Sequence, residues 1–311
     1  MIPLIVIAGP TCVGKTETAI ALARSIGGEI VSADSMQVYR GMDIGTAKAS
    51  VAEREGIPHH MIDVADPSED YNVNRYSEAA LQCISDIRSR GKVPIVVGGS
   101  GFYIDALLYG QPESEPGTDP DLRSELRKRA SEGELPELYS ELKKLDPAYA
   151  ESIHPNNRVR VIRGLEYTLT TGTPYSQYTR ARMDAKPRFD HRFFVLDDDR
   201  MELYSRIDAR VDRMVADGLL FEVKRLMDDG IGRDTVSMQG VGYRQMFDYL
   251  SGEMALEEAI ESIKVETRHI AKRQLTWLRH IPDTEWIDVT RFGRDPIRIA
   301  EHIRDSVQII V

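Results

Sequence analysis

A glycine-rich turn near the start of the chain carries residue types that bind phosphate. Its residues are Gly9, Pro10, Thr11, Cys12, Val13, Gly14, Lys15 and Thr16, in the spacing G-x-x-x-x-G-K-T. The glycines let the backbone curl around an anion, so that its N–H groups point inward. In this pattern the lysine reaches the outer phosphate and the threonine hydroxyl holds Mg²⁺. The sequence therefore predicts a phosphate site, with Thr16 as a ligand of Mg²⁺, and leaves the owner of the phosphate open.

Both flanks of this turn agree with the motif. The apolar run 4–8 comes directly before it and predicts a buried strand, and residues 16–25 carry apolar side chains at helical spacing. A helix that starts behind the turn adds about half a positive charge to the anion site. The order strand, turn, helix is the context that the motif requires, so we favour a phosphate site over a ligand-free turn.

Further residues could act on a bound phosphate ester. Asp34 follows the second apolar run and lies at a predicted strand end beside the turn, where it could serve as a base or hold a metal ion. Arg206 and Arg210 are four residues apart and share a helix face, from which they could neutralise a leaving phosphate. The alternative for both arginines is a surface pair with Glu202 or Asp212.

The first hundred residues alternate short apolar runs with amphipathic segments. Strands are predicted at 4–8, 29–33, 60–64 and 93–97, and helices at 16–25 and 74–90. This alternation is typical of a parallel sheet covered by helices on both faces, whose ligands bind at the carboxyl ends of the strands. We therefore predict an α/β fold with a P-loop NTPase-like parallel sheet flanked by helices.

The alternation stops near residue 111. Residues 111–120 hold three prolines and a glycine, which is typical of a domain edge, and 121–171 predict only helices. Beyond them the pattern predicts a returning strand at 191–196, helices at 200–229, 242–250 and 256–281, an edge strand at 285–288 and a closing helix at 295–307. The sequence thus predicts a catalytic domain from 1–118 and 189–311, interrupted by an all-helical insertion at 119–188.

Charge is distributed unevenly along the chain. The net charge is −10, from 40 basic and 50 acidic residues, which argues against a general nucleic-acid binder. Two basic islands nevertheless stand out: 154–192 has eight Lys and Arg against three acids, and 264–280 has five against one. They indicate either local contacts with a polyanion or solvated helix faces, and charge alone does not decide between the two.

Several classes of protein are disfavoured. No apolar run approaches the ~20 residues of a membrane span, and the chain enters its first strand with no room for a signal peptide. Two cysteines in 311 residues agree with a reducing compartment, so we expect a cytoplasmic protein. The adjacent His59 and His60 lack a second pair of ligands nearby, which disfavours a metal centre there.

The segment 32–48, SADSMQVYRGMDIGTAK, resembles the signature of the tRNA dimethylallyltransferases, also called tRNA isopentenyltransferases. Blocks similar to that family follow in its order at 9–11, 58–63, 98–103, 154–157, 240–244 and 271–277, so the resemblance extends over nearly the whole chain. Ser100, Phe102 and Gly164 stand where the family usually has Thr, Leu and Ala. The serine keeps the hydroxyl, and the glycine is expected to loosen its helix by up to ~1 kcal/mol.

This resemblance implies transfer of a dimethylallyl group from dimethylallyl diphosphate to N6 of an adenine. The adenine is the one immediately 3′ of the anticodon, in tRNAs that read codons beginning with U. The phosphate turn would then hold the donor diphosphate, and Asp34 would be the general base on N6. The residues that would stabilise the departing diphosphate are Thr11, Lys15, Thr16 with Mg²⁺, Arg206 and Arg210. Of these, Thr11 and Arg206 join Asp34 as the predicted catalytic residues.

The resemblance also implies contacts with the anticodon stem-loop of tRNA. The residues expected to make them are Asp34, Ser35, Met36, Gln37, Ser100, Arg123, Val159, Arg160, Val161, Ile162, Arg163, Gly240, Val241, Gly242, Tyr243, Arg244 and Gln245. The adenine must leave its stack to reach the sheet edge, as in other enzymes that modify bases. The basic island 154–192 would then let the helical insertion grip the anticodon stem. We expect the protein to be a monomer.

Three other functions stay open. Adenylate isopentenyltransferases use the same donor with AMP or ATP as acceptor, but they have little use for a helical insertion. A small-molecule kinase would use ATP and a hydroxyl acceptor, but the sequence shows no obvious lid of arginines beyond Arg206 and Arg210. A tRNA-binding protein with a nucleotide switch would not need Asp34 beside a complete phosphate turn.

Overall fold

A computed structural model describes residues 3–110, 119–183 and 185–307. The chain divides into two compact units, which we call the larger unit (Met1–Leu108 with Phe189–Val311) and the helical unit (Tyr109–Arg188). The proline-rich segment 111–118, where the sequence places a domain edge, lies outside the described residues.

The larger unit is built on one six-stranded sheet. Its strands are β1 (Leu4–Ala8), β2 (Gly28–Ala33), β3 (His59–His60), β4 (Val93–Gly98), β5 (His191–Asp197) and β6 (Thr284–Asp288). They lie in the order β3-β2-β4-β1-β5-β6, and every neighbouring pair is parallel. Every residue of β1, β2 and β4 is buried, as both faces of a parallel sheet require. The predicted α/β fold is confirmed.

Thirteen α-helices are found in the described residues, together with two short 3-10 helices at Ser237–Gln239 and Val289–Phe292. The first three are α1 (Lys15–Ile26), α2 (Val73–Ser89) and α3 (Gly101–Tyr109). The helical unit adds α4 (Pro120–Ser131), α5 (Leu135–Leu145), α6 (Pro147–Ser152), α7 (Arg158–Thr171) and α8 (Tyr175–Met183). The chain then returns to the larger unit with α9 (Arg200–Ala216), α10 (Leu219–Asp228), α11 (Tyr243–Leu250), α12 (Leu256–Leu278) and α13 (Pro296–Val307). The main core lies between the sheet, α1 and α13 and contains Ile5, Leu22, Ile95, Phe194 and Ile303.

The helical unit has a core of its own. Its buried side chains are Leu126, Leu138, Leu142, Ala150, Ile153, Val161, Ile162 and Leu165. Gly164 of α7 faces the ring of Tyr149, and a Cβ at Gly164 would lie 2.7 Å from Cε1 of that ring. The glycine therefore permits close packing of α7, and the loosening of the helix by up to ~1 kcal/mol stays a prediction.

Three boundaries differ from the sequence prediction. The third strand is limited to His59–His60, because Met61 and Asp63 take φ values of 63° and 59° and the chain turns away. The helix expected at 200–229 is two helices, α9 and α10, separated by Gly218 at φ 105°. The helix expected at 256–281 already ends at Leu278.

Candidate active site

The phosphate turn lies between the carboxyl end of β1 and the start of α1. Gly9 has a φ of 154°, and a Cβ there would lie 2.6 Å from the carbonyl oxygen of Leu196 in β5, so this position requires glycine. Gly14 caps α1 at φ 101°, and Cys12 has a φ of 67°. These backbone angles curl the turn over the helix N-terminus, which is the geometry of an anion site.

Lys15 lies against the turn that it follows. Its Nζ donates to the carbonyl oxygens of Gly9 at 2.9 Å and of Pro10 at 2.6 Å. Removal from water, and next the positive charge of Arg210, lower the pKa of Lys15 to about 8, while the negative charge of Asp34 is among those that oppose this shift. The charges of Arg210 and Asp34 therefore both act on the Lys15 ammonium.

The structure separates the two arginines of α9. Arg210 donates from Nη1 to the hydroxyl of Thr11 at 3.3 Å and to Sγ of Cys12 at 3.4 Å, so it lies on the phosphate turn. Arg206 instead donates to Asp198, whose side chain is fully buried and also accepts from Arg294. The placement of Arg210 agrees with a phosphate-binding role, whereas a catalytic role for Arg206 stays a prediction.

Asp34 follows β2 and uses one carboxylate oxygen to hold its own loop. Its Oδ1 accepts from the amides of Met36 at 2.9 Å and Gln37 at 3.3 Å, and the side chain is partly exposed. Oδ2 accepts no hydrogen bond from the residues that the structure describes. The carboxylate is thus fixed in direction and keeps a second oxygen for another donor.

Ser100 connects Asp34 to the neighbouring strand end. Its hydroxyl accepts from the amide of Ser35 at 3.0 Å and lies 3.3 Å from the Ser35 hydroxyl. This contact follows from the sheet, because the last residues of β2 and β4, Ala33 and Gly98, are paired in register. The structure therefore brings Ser100 beside the Asp34 loop.

Gln274 of α12 is a site residue whose role could not be predicted from the sequence. The Thr11 amide donates to its Oε1 at 2.9 Å, and its Nε2 donates to the Gly99 carbonyl oxygen at 3.1 Å. One side chain thereby joins the turn after β1 to the loop after β4. Gln274 lies in the block 271–277 that resembles the family. Its contact with the turn could not be predicted, because Thr11 is 263 residues away along the chain.

Glu222 is a second residue that sequence reasoning missed. Its buried carboxylate accepts from the amides of Asp43 at 2.8 Å, Ile44 at 2.9 Å and Gly45 at 3.1 Å, and from the Tyr243 hydroxyl. It therefore fixes the far end of the 34–48 segment. The signal was present in the sequence, since Glu222 shares a helix face with three apolar residues: Leu219, Val223 and Leu226.

The block 240–245 lies against the Asp34 loop. A Cβ at Gly240 would be 2.5 Å from Cε of Met36, so these two predicted tRNA contacts are neighbours. Arg244 donates to Glu266 at 2.5 Å, while Val241 and Gly242 precede it at the start of α11. Tyr243 and Gln245 are buried, and the Gly242 amide donates to the Gln245 side chain at 2.9 Å, which suits a supporting role for both.

In the helical unit, the predicted RNA contacts fall into two groups. Val159 and Arg160 are exposed on α7. Val161 and Ile162 are buried in the core of the unit, so their predicted contact with RNA stays a prediction that would have to use their backbone rather than their side chains. Arg123 donates from Nε to both oxygens of the buried Glu166 at 3.0 Å, and Arg163 lies 3.4 Å from the same carboxylate.

A metal ion would find few protein ligands here. No group of three or more His, Cys, Asp or Glu that could hold a metal ion occurs in the described part of the chain. Mg²⁺ in phosphate sites is bound through one or two side chains together with water and phosphate oxygens, and the partly exposed Thr16 hydroxyl at the start of α1 fits that donor set. Nε2 of His60 lies 2.7 Å from Oε2 of Glu29, so this ring nitrogen has a hydrogen-bond partner in the protein.

Fold and site together define a P-loop-type α/β protein whose phosphate turn has a carboxylate at a nearby strand end. The profile of the IPP transferase family matches residues 37–281, and the chain belongs to this family of prenyl-transferring enzymes. Among the residues that the structure describes, no helix is both long enough and apolar enough to cross a membrane.

Similar proteins extend over nearly the whole chain. Two relatives named tRNA dimethylallyltransferase are those of Lachnoclostridium phytofermentans (45% identical, covering 98% of this chain and 97% of the relative) and Pelotomaculum thermopropionicum (47%, covering 97% and 95%). The crystal structure of the tRNA isopentenylpyrophosphate transferase of Bacillus halodurans is similar with a TM-score of 0.72 and 42% identity, covering 99% and 97% of the two chains. A eukaryotic dimethylallyltransferase, described as acting on tRNA, gives a TM-score of 0.80 at 33% identity, covering 97% and 77%.

Proposed function

We propose that this protein transfers a dimethylallyl group from dimethylallyl diphosphate to N6 of the adenine 3′-adjacent to the anticodon, in tRNAs reading codons that begin with U. The product is N6-dimethylallyladenosine. The observation that carries the proposal is the contact of Arg210 with Thr11 of the phosphate turn, where the negative charge of Asp34 also acts on Lys15. The names of the relatives supply the transferred group and tRNA as the class of acceptor, and the family resemblance supplies the diphosphate donor and the position of the adenine.

The donor side of the reaction needs positive charge. When the bond between the allylic carbon and oxygen breaks, negative charge builds on the diphosphate, and Lys15, Arg210 and the Thr11 hydroxyl are placed to stabilise it. Arg206 would join them after leaving Asp198. Mg²⁺, held by Thr16, would neutralise further charge on the same oxygens.

The acceptor side needs a base. N6 of adenine forms the new bond to the allylic carbon, the diphosphate leaves with the electron pair of the broken bond, and N6 must lose one proton. The Oδ2 atom of Asp34 is suited to accept that proton, because Oδ1 is occupied by two loop amides that fix the direction of the carboxylate. Ser100 would contact the same nucleotide.

Recognition of tRNA would involve both units. The exposed basic residues of the helical unit, such as Arg160, would bind phosphates of the anticodon stem, while the Asp34 loop receives the extruded adenine. As a tRNA-modifying enzyme, the protein would work in the cytoplasm. We expect it to act as a monomer.

One assay tests the proposal against its alternatives. The protein is incubated with Mg²⁺, radiolabelled dimethylallyl diphosphate and either unmodified tRNA or AMP. We expect label in tRNA alone. Label in AMP would identify an adenylate prenyltransferase, and ATP turnover without prenyl transfer would identify a kinase or a nucleotide switch. A tRNA in which the target adenine is replaced by guanine is the matched control and should stay unlabelled.

A further inference from the structure

Gln274 uses both ends of its side-chain amide on two different loops. Its Oε1 accepts from the Thr11 amide at 2.9 Å, and its Nε2 donates to the Gly99 carbonyl oxygen at 3.1 Å. Because the amide of glutamine is a donor and an acceptor at once and carries no charge, it can join an N–H to a C=O without adding a charge beside a diphosphate.

These two loops belong to the two sides of the proposed reaction. On the donor side, the Thr11 hydroxyl also accepts from Arg210. On the acceptor side, Ser100 follows Gly99 directly and bonds Ser35 next to Asp34. A continuous set of contacts therefore leads from the phosphate turn through Gln274 to the carboxylate loop.

The packing around Gln274 leaves its amide little freedom. A Cβ at Gly99 would collide with Nε2 of Gln274, and a Cβ at Gly101 would collide with the ring of Trp277, three residues further along α12. Two glycines thus let α12 approach the loop after β4 closely enough for the amide to reach Gly99. Because α12 packs directly against the backbone of this loop, the contact also fixes the distance between the loop after β4 and the Gln274 amide.

We propose that Gln274 is a positioning residue that sets the distance between the donor diphosphate and the acceptor amine. This inference rests on the proposed function, since it assigns the turn after β1 to the donor and the loops after β2 and β4 to the acceptor. Gln274 touches neither reacting atom. It acts through Thr11 on one side and through Gly99 and Ser100 on the other.

The test is a double-mutant cycle of Gln274→Ala and Gly99→Ala in the full chain. Single-turnover rates of transfer are measured with dimethylallyl diphosphate and tRNA both saturating, and the two dissociation constants are measured separately. We expect each substitution to lower the rate by about tenfold or more, because misplacement of reacting groups costs rate more than binding. Both dissociation constants should stay within about threefold of wild type.

The double variant distinguishes positioning from general damage. Once Gln274 is alanine, a methyl group at Gly99 has no amide to displace, so the double variant should be no slower than the slower single variant. Thr276→Ala is the matched control, since its exposed side chain donates within α12 to the Lys272 carbonyl at 2.8 Å and reaches neither loop, and it should keep the wild-type rate.

Two results would overturn the inference. One is a Gln274→Ala rate within about twofold of wild type, and the other is a double variant whose losses multiply. A wild-type protein that transfers no prenyl group to tRNA would overturn the proposed function together with this inference. A Gln274→Ala variant that transfers the prenyl group about as fast as an active wild type would overturn this inference alone.

Discussion

Asp34 has two carboxylate oxygens with different partners, and this difference makes the proposed base testable. Asparagine can still accept from the Met36 and Gln37 amides through its own Oδ1, but its amide nitrogen cannot take a proton from N6. We expect Asp34→Asn to lower turnover by about a hundredfold or more while tRNA affinity is unchanged. Single-turnover kinetics and filter binding measure the two quantities. A variant within about tenfold of wild type would show that Asp34 is not the base.

Lys15 gives the donor site a pH dependence. Its pKa is lowered to about 8, so in the free protein the ammonium loses its proton as the pH rises through 8. A diphosphate interacts more strongly with the charged form, so affinity should fall above about pH 8, and binding near that pH should take up a proton. Calorimetry in two buffers of different ionisation enthalpy measures the proton, and titrations from pH 7 to about 9.5 measure the affinity.

The control for this dependence is Lys15→Arg. A guanidinium stays protonated throughout the range, so the variant should show a nearly level affinity between neutral pH and about 9.5. A level profile in the wild type would contradict the assignment of Lys15 as the titrating group.

At the scale of elements, α10 holds the far end of the 34–48 segment through Glu222. Removal of this carboxylate leaves three loop amides and the Tyr243 hydroxyl without their acceptor. We expect Glu222→Ala to lower the free energy of unfolding by about 3 kcal/mol and to raise the KM for tRNA, because the loop that carries Asp34 is loosened. Urea unfolding and steady-state kinetics provide the measurements.

Tyr243→Phe is the graded control for that prediction. It removes one of the four hydrogen bonds to Glu222 and should cost about 1 kcal/mol. Equal losses from the two substitutions would mean that the hydrogen bond of the Tyr243 hydroxyl accounts for the whole contribution of Glu222, and that its bonds to the three loop amides add nothing measurable.

The elements that the sequence predicted well are those determined by local pattern. The buried runs of β1, β2, β4 and β5 and the phosphate turn all follow from apolar periodicity and glycine spacing. The third strand was overestimated, because tertiary contacts turn the chain at Met61. Gln274 could not be assigned a role, since its partner Thr11 is 263 residues away and no periodicity reports such a contact. Glu222 is a charged residue on an apolar helix face, which the sequence shows, but its partners in the 34–48 segment could not be read from it.

At the scale of the whole molecule, the basic residues of the two islands differ in how their charges are used. Lys264 is paired with Asp212 at 2.6 Å and Arg268 with Asp208 at 2.9 Å, whereas Arg160 of the helical unit is exposed. A basic side chain that is already bonded to an acid neutralises little phosphate charge and therefore releases few of the counterions of a polyanion. We therefore expect exposed residues such as Arg160 to contribute more to a contact with RNA than Lys264 does.

This difference predicts a salt dependence. Affinity for tRNA should fall steeply with salt, and Arg160→Ala should reduce the slope of log K against log salt by about 0.9 if it removes one phosphate contact in the base-paired stem. Lys264→Ala is the matched control and should leave the slope unchanged, because its ammonium is bound to Asp212. The slopes come from binding titrations at several salt concentrations. Salt-independent binding by the wild type would contradict the electrostatic role of the helical unit.

The first strand of the sheet pairs with β5, so Leu4 lies opposite His191 and Gly9 packs against Leu196. During translation, the glycine-rich turn is made long before the partners that hold it. The partner furthest along the chain, Gln274, follows Thr11 by 263 residues. A nascent chain therefore cannot complete the contacts of the phosphate turn until residue 274 has been made, so co-translational folding of the early part of the larger unit leaves this turn unfinished.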